Sequence, residues 1–176
     1  MKKERMLITG GCGFIGSHFT DFEMHYKDME VLVVDKLTYA SNIDYLPGDA
    51  KLIKKDINDL TYDDIGEIQY CVNFAAESHV DNSIDDGSPF VKTNINGTFN
   101  LLELCRKMEN FKKFVQISTD EVYGDITEPS LEYDVLKPSS YYSATKAAAD
   151  QLVLAAGRTY NLPYLITRSC NNYGDR

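Results

Sequence analysis

Thr9-Gly10-Gly11-Cys12-Gly13-Phe14-Ile15-Gly16-Ser17 is the segment that most restricts how this chain folds. It follows a short apolar run, Arg5–Thr9, and opens an amphipathic stretch, Phe14–Tyr26. The pattern G-x-G-x-x-G starts at Gly11, and G-x-x-G-x-x-G starts at Gly10. A strand that passes straight into a helix through glycines leaves bare backbone at the helix N-terminus, where N–H groups and the helix dipole receive an anion. Asp35 closes the next apolar run, about 20 residues beyond Gly16, the offset of an acid that accepts hydrogen bonds from an adenosine ribose. A carboxylate there repels a 2′-phosphate. The pair of features therefore implies a dinucleotide site and favours NAD over NADP, with Lys36 next door as the residue of opposite sign.

The rest of the chain continues the alternation that this unit begins. Further strands are read at Glu30–Asp35, Lys51–Lys54, Tyr70–Ala75, Lys113–Ser118 and Tyr164–Ser169. Helices are read at Phe14–Tyr26, Asp59–Ile65, Pro89–Met108 and Ser139–Asn161, the third with Phe90, Asn94, Phe99, Leu101, Leu102, Leu104 and Cys105 as a partly apolar stripe. Right-handed βαβ crossovers make this an α/β fold, a doubly wound parallel Rossmann-type sheet with helices on both faces. At 176 residues the chain is expected to form one such domain over 1–176, with no second domain. The connection Lys36–Ala50 is long for this fold and is expected to contact a ligand or carry a short helix. Two more strand ends, Asp56-Ile57 and Phe74-Ala75-Ala76, fall on the carboxyl edge where such sheets bind ligands, as adenine and ribose neighbours.

Charge excludes several function classes. Lys and Arg total 18 against 27 Asp and Glu, a net charge of −9, which disfavours nucleic acid and anionic membranes as partners. The apolar run after the charged amino terminus is too short for a signal-peptide core, and no stretch approaches the ~18 apolar residues of a membrane span, so a cytoplasmic protein is expected. Cys12, Cys71, Cys105 and Cys170 are widely spaced, signalling neither a metal site nor a disulfide framework.

Catalytic residues are sought on the same edge. Tyr142 and Lys146 stand four apart after the serine-rich run Ser139-Ser140, so their side chains share one helix face. An ammonium beside the phenol, together with an oxidised nicotinamide, is expected to lower the phenol from its reference near 10 and make it a base while hydride leaves the same carbon. At the end of the fifth strand, Thr119 offers a hydroxyl to a substrate oxygen. Asp120 and Glu121 follow it, two carboxyls able to take opposite acid and base roles if their surroundings differ.

The glycine loop, Asp35-Lys36-Leu37-Thr38-Tyr39-Ala40, Ala75-Ala76-Glu77-Ser78-His79-Val80-Asp81, Ser118 to Asp125, the Tyr142/Lys146 pair and Ser169-Cys170-Asn171-Asn172-Tyr173-Gly174 together resemble the dTDP-glucose 4,6-dehydratase family. These are extended short-chain dehydrogenases/reductases acting on nucleotide sugars. The resemblance covers essentially the whole chain, and Thr-Asp-Glu before Val-Tyr-Gly is its dehydratase-specific element. It implies a redox-neutral cycle on bound NAD that converts dTDP-glucose to dTDP-4-keto-6-deoxyglucose. Tyr142, Lys146 and Thr119 are then assigned to oxidation at carbon 4, Glu121 to removal of the carbon-5 proton and Asp120 to protonation of the departing carbon-6 hydroxyl. Carried over residue by residue, Gly10, Gly13, Phe14, Ile15, Gly16, Asp35, Lys36, Leu37, Thr38, Asp56, Ile57, Ala75, Ala76, Thr93, Tyr142, Lys146 and Asn172 are cofactor contacts. Ser78, Thr119 and Asn171 are substrate contacts, and no residue is assigned to a metal.

Three departures accompany the resemblance. Cys12 replaces a more usual Ala, one small residue for another, and Asn82 stands where Arg often follows His-Val-Asp. Family members are also about twice this length, so the carboxyl-terminal region that closes over the nucleotide is expected to be absent. A homodimer is expected through the Tyr142 helix, where Ala144, Ala147, Ala148, Leu152, Ala155 and Ala156 crowd small residues together. Two alternatives stay open: an epimerase or reductase of the same superfamily, and a non-catalytic NAD-binding module.

Overall fold

A computed structural model describes residues 3–26 and 29–176. Six strands form one parallel sheet: β1 (Arg5–Thr9), β2 (Glu30–Asp35), β3 (Lys51–Lys54), β4 (Tyr70–Asn73), β5 (Lys113–Thr119) and β6 (Tyr164–Ser169). Their order is β3-β2-β1-β4-β5-β6, the doubly wound order whose direction of travel reverses between β1 and β4. The register runs Leu7 to Leu32 on one side of β1 and Leu7 to Cys71 on the other. Parallel strands covered on both faces must be apolar on both, which is why Val31–Val34 is an unbroken apolar run and is buried throughout.

Alternate residues of each strand supply two separate cores. Leu7, Leu32 and Val34 join Leu101, Phe114, Val153 and Ala156 on one face. Met6, Ile8, Val31 and Val33 join Phe19 and Met24 of α1 (Phe14–Tyr26) on the other. The sheet's centre also carries a closed polar network. Thr9 Oγ1 donates to Asn73 Oδ1 at 2.6 Å, while Asn73 Nδ2 donates to Gln116 Oε1 at 2.9 Å and Thr98 Oγ1 at 3.2 Å. Each buried polar atom of this set has a partner, so the network fixes β1, β4 and β5 against one another without an unsatisfied group.

Shorter helices follow the strands: α2 (Tyr62–Ile65), α3 (Val80–Asp85), α4 (Ser88–Phe90) and α5 (Thr98–Cys105). Between α4 and α5 the backbone is π-helical over Val91–Gly97. The sequence reads Pro89–Met108 as one regular helix, and the extra residue per turn rotates Thr93 and Asn94 inward, where both are buried. Helix α3 has no apolar period to announce it. The long connection after β2 carries a 3₁₀ turn at Ile43–Tyr45, capped by Asn42, whose Oδ1 accepts from the Asp44 N–H at 3.0 Å.

The longest helix is α6 (Tyr141–Tyr160). Ser140 caps it reciprocally with Ser143: Ser140 Oγ accepts from the Ser143 N–H at 3.1 Å and Ser143 Oγ from the Ser140 N–H at 3.0 Å. Asn161 ends it in the left-handed region at φ 54°. This fixes the start of α6, and hence Tyr142 in its first turn, directly over the end of β5. No helix among the described residues is long and apolar enough to cross a membrane.

Candidate active site

The reversal between β1 and β4 opens a crevice at the carboxyl ends of the strands. Its floor is the glycine loop, and two glycines there are sterically required. Gly10 has φ +67°, and a Cβ on it would lie 2.7 Å from the Ala75 nitrogen; a Cβ on Gly16 would lie 2.2 Å from the Gly10 carbonyl oxygen. The loop is thereby drawn against both β4 and the start of α1, whose first N–H groups have no intrahelical acceptor and face an incoming anion.

Asp35, at the end of β2, is buried and held in place by three donors. The Cys12 N–H reaches Oδ2 at 3.0 Å, and the Leu37 N–H and Ser41 Oγ reach Oδ1 at 2.8 and 2.9 Å. The carboxylate thus ties the glycine loop to the connection after β2. Asp56 caps the 3₁₀ turn Ile57–Asp59 through the Asn58 N–H. Burial alone raises the Asp56 carboxyl, but the Asn58 hydrogen bonds and the charges of Lys36 and Lys92 bring it below its ordinary range.

The catalytic candidates line the other end of the same space. Tyr142 and Lys146 are both buried. Lys146 Nζ donates to the Ile117 carbonyl at 2.5 Å, and burial brings its ammonium down to about 8 against the opposing pull of Asp150. The expected lowering of the Tyr142 phenol rests on two cations, Lys146 and an oxidised nicotinamide; from the protein's own groups the phenol is raised. Burial first and Glu121 second push the phenol up, Thr119 opposes them with a hydrogen bond, and Asp120 adds to the rise. The carboxyls add to the effect of burial because both follow Thr119 on the 3₁₀ turn Asp120–Tyr123, whose start Thr119 Oγ1 caps by accepting from the Glu121 N–H at 3.2 Å. Partial burial and the Asp120 charge also raise the Glu121 carboxyl, making it a stronger base than a free one.

A single cavity of about 550 Å³ joins these parts. It brings together Gly10, Gly13, Phe14, Ile15, Gly16, Asp35, Lys36, Thr38, Asp56, Ile57, Ala75, Ala76, Ser78, Thr93, Thr119, Glu121, Tyr142, Lys146, Asn171 and Asn172. Two expected residues lie outside its lining. Leu37 takes φ 57°, which turns its side chain into the α1-side core. Asp120 is exposed, its Oδ1 accepting from Thr119 Oγ1 at 3.3 Å.

Glu77 and Asn94 are functional candidates that reading the sequence did not single out. Glu77 lines the cavity and accepts from Lys36 Nζ at 3.0 Å. Asn94 clamps the Glu77 backbone from both sides, accepting from its N–H at 2.9 Å and donating to its carbonyl at 3.0 Å, and also donates to Thr145 Oγ1 on α6. A lone acid in a loop has no period, and Asn94 reads as one polar position on an apolar stripe until the π-helical turn brings it inward.

The family model described as GDP-mannose 4,6 dehydratase matches residues 7–176. The low-salt glycan biosynthesis protein Agl12 of Haloferax volcanii is 46% identical over 179 residues, covering 97% of this chain and 57% of that protein. A dTDP-glucose 4,6-dehydratase of Mycobacterium tuberculosis is 44% identical, covering 97% of this chain and 54% of that protein. Among solved structures, DesIV, a dTDP-glucose 4,6-dehydratase from Streptomyces venezuelae with NAD and TYD bound, superposes with a TM-score of 0.91 at 42% identity, covering 97% of this chain and 56% of that one. The chain therefore spans a little over half the length of these relatives.

Proposed function

This chain belongs to the GDP-mannose 4,6 dehydratase family, and from that premise we propose that it carries the NAD-binding and catalytic part of a nucleotide-sugar 4,6-dehydratase acting on dTDP-glucose. The observation that carries the reading is the one cavity that runs from the glycine loop and Asp35 to Thr119, Glu121, Tyr142 and Lys146. An anion-receiving loop and a base in one continuous space fit a reaction in which a dinucleotide and a sugar meet.

The residues fit a dinucleotide. Glycines that a Cβ would force apart keep the loop bare, and Asp35 is already oriented by three donors with lone pairs to spare for a ribose. A nicotinamide dinucleotide bound there supplies a reversible hydride acceptor for carbon 4 and, later, the hydride for carbon 6. Tyr142 takes the proton of the carbon-4 hydroxyl, which Thr119 positions. Because burial and Glu121 both raise the phenol, this proton transfer calls for positive charge, from Lys146 and from the oxidised ring. The carbon-4 ketone acidifies the carbon-5 hydrogen, which Glu121 removes; Asp120, exposed beside Thr119 just outside the cavity lining, is assigned to protonating the carbon-6 hydroxyl as it leaves as water and must turn inward to do so. Ser78 and Asn171, both exposed on the cavity wall, hold the sugar. The adjacent acids after Thr119 favour elimination over epimerisation, which needs no second acid–base pair. We also read the chain as one half of a homodimer joined through α6, beside which Val91, Phe99 and Tyr141 are exposed.

The test incubates the complete gene product with NAD and dTDP-glucose in deuterated water. Loss of water and one deuterium at carbon 5 are expected. Glu121→Gln should retain oxidation at carbon 4 and lose elimination. Product of unchanged mass would point to epimerisation instead, and absence of both water loss and deuterium uptake would overturn the reading.

A further inference from the structure

Lys36 directly follows Asp35 at the end of β2, where a cation is placed to receive the 2′-phosphate of NADP. Its ammonium is engaged elsewhere: Nζ donates to Glu77 Oε1 at 3.0 Å and Thr93 Oγ1 at 3.3 Å, with Asp56 Oδ2 at 4.0 Å. We propose that Glu77 is a specificity-determining residue for the dinucleotide: by holding Lys36 across the crevice, it withholds the cation that a 2′-phosphate needs and enforces NAD over NADP. This deepens, and rests on, the dinucleotide reading given above.

Glu77 is built to hold rather than to follow. Its side chain is 13% exposed, and Asn94 fixes its backbone on both sides. Lys36 is therefore drawn toward the β4 side of the cavity. Three carboxylates, Asp35, Asp56 and Glu77, line this wall against the ammonium of Lys36, and the neighbouring Lys55 is taken by Asp64 at 2.6 Å. A 2′-phosphate entering here meets excess negative charge and a cation already neutralised, so selectivity comes from an arrangement that rejects the wrong ligand as much as from Asp35 accepting the right one.

Calorimetric titration of the complete gene product with NAD and with NADP tests this, using the ratio of the two Kd values as the readout. In Glu77→Gln the carboxylate is gone and Lys36 is released, so the preference for NAD should narrow roughly tenfold, about 1.4 kcal/mol. In Glu77→Gln/Lys36→Met the preference should return to the wild-type ratio or beyond, because the released cation is gone. Glu77→Asp, which keeps the charge but shortens its reach, should narrow the ratio by less and guards against a folding defect in the first variant. An unchanged ratio in variants that bind NAD, or equal narrowing in the double variant, would overturn the proposal. Wild-type protein that binds neither dinucleotide would instead overturn the dinucleotide reading itself.

Discussion

Asp35 and Asp150 are both buried carboxylates, one on each flank of the sheet, and they are held by opposite means. Asp35 rests on three neutral donors, two of them backbone N–H groups fixed by the glycine loop and the turn after β2. Asp150, on α6, rests on one cation: Arg168 of β6 donates through Nε at 2.9 Å, and the second carboxylate oxygen has no hydrogen-bond partner. Arg168 is in turn braced by the Tyr123 hydroxyl at 2.8 Å and the Glu132 carbonyl at 3.1 Å. The cofactor flank thus organises its charge with local backbone, whereas the catalytic flank depends on a side chain from the outermost strand. The first arrangement is insensitive to distant change. The second transmits it, because Asp150 lies one helical turn from Lys146.

Removing the cation should expose that difference most. Arg168→Met leaves Asp150 buried and unpaired, a change expected to cost about 3–5 kcal/mol near neutral pH. Burial already raises the Asp150 carboxyl, with Arg168 the chief opposing influence and the charge of Lys146 a further one, so loss of the guanidinium raises it further. A raised acid binds more protons folded than unfolded, so the variant's deficit should shrink as pH falls toward about 4, where the folded carboxyl is protonated and its buried charge is gone. Denaturant unfolding at both pH values measures this. A deficit under about 1 kcal/mol, or one independent of pH, would break the contrast.

The same division explains what could be read from sequence. The cofactor flank is local in sequence: glycine spacing, the apolar run Val31–Val34 and Asp35 at its expected offset lie within one βαβ unit, and β1, α1 and β2 have the expected bounds. The six parallel strands were legible for the same reason, with β4 ending at Asn73 rather than Ala75 and β5 reaching Thr119. What pattern could not show depends on non-local geometry. The π-helical segment that turns Asn94 onto Glu77 breaks the 3.6-residue period, and the left-handed backbone of Leu37 sends an expected contact into the core. The raising of the Tyr142 phenol by the protein's own groups is of this kind too. Four-residue spacing correctly put Tyr142 and Lys146 on one helix, but their environments are set by Ile117, Glu121 and burial, contributed from β5 and the turn after it.

Lys146 sharpens the comparison with an effect of opposite sign. Its ammonium is lowered from 10.5 to about 8, so below pH 8 the fold carries a buried charge that the unfolded chain hydrates freely. Between pH 8 and 10.5 the unfolded state holds the proton and the native state does not, so this cost disappears as pH rises through that window. Lys146→Met should therefore abolish turnover yet gain about 1–3 kcal/mol of stability near pH 7, allowing for the lost Ile117 bond and the lost neighbour of Asp150. The gain should fade toward pH 10. Paired unfolding curves at the two pH values check it, and a variant less stable than wild type at neutral pH would show that Lys146 supports the fold rather than burdening it.

The smallest effect belongs to the flank held by neutral donors. Ser41→Ala removes one of the three hydrogen bonds to Asp35, the only one of the three from a side chain, and leaves both backbone N–H donors in place. The net worth of one such bond is about 1 kcal/mol, and Ser41 lines the open cavity, so water can take the vacated lone pair. Stability should fall by about that amount, and NAD affinity by no more than a few-fold, as measured by unfolding and by calorimetry. A loss of about 3 kcal/mol or more would place Asp35 in the same condition as Asp150, dependent on a single side chain. The glycine loop and the turn after β2 would then need the hydroxyl to close on the carboxylate at all.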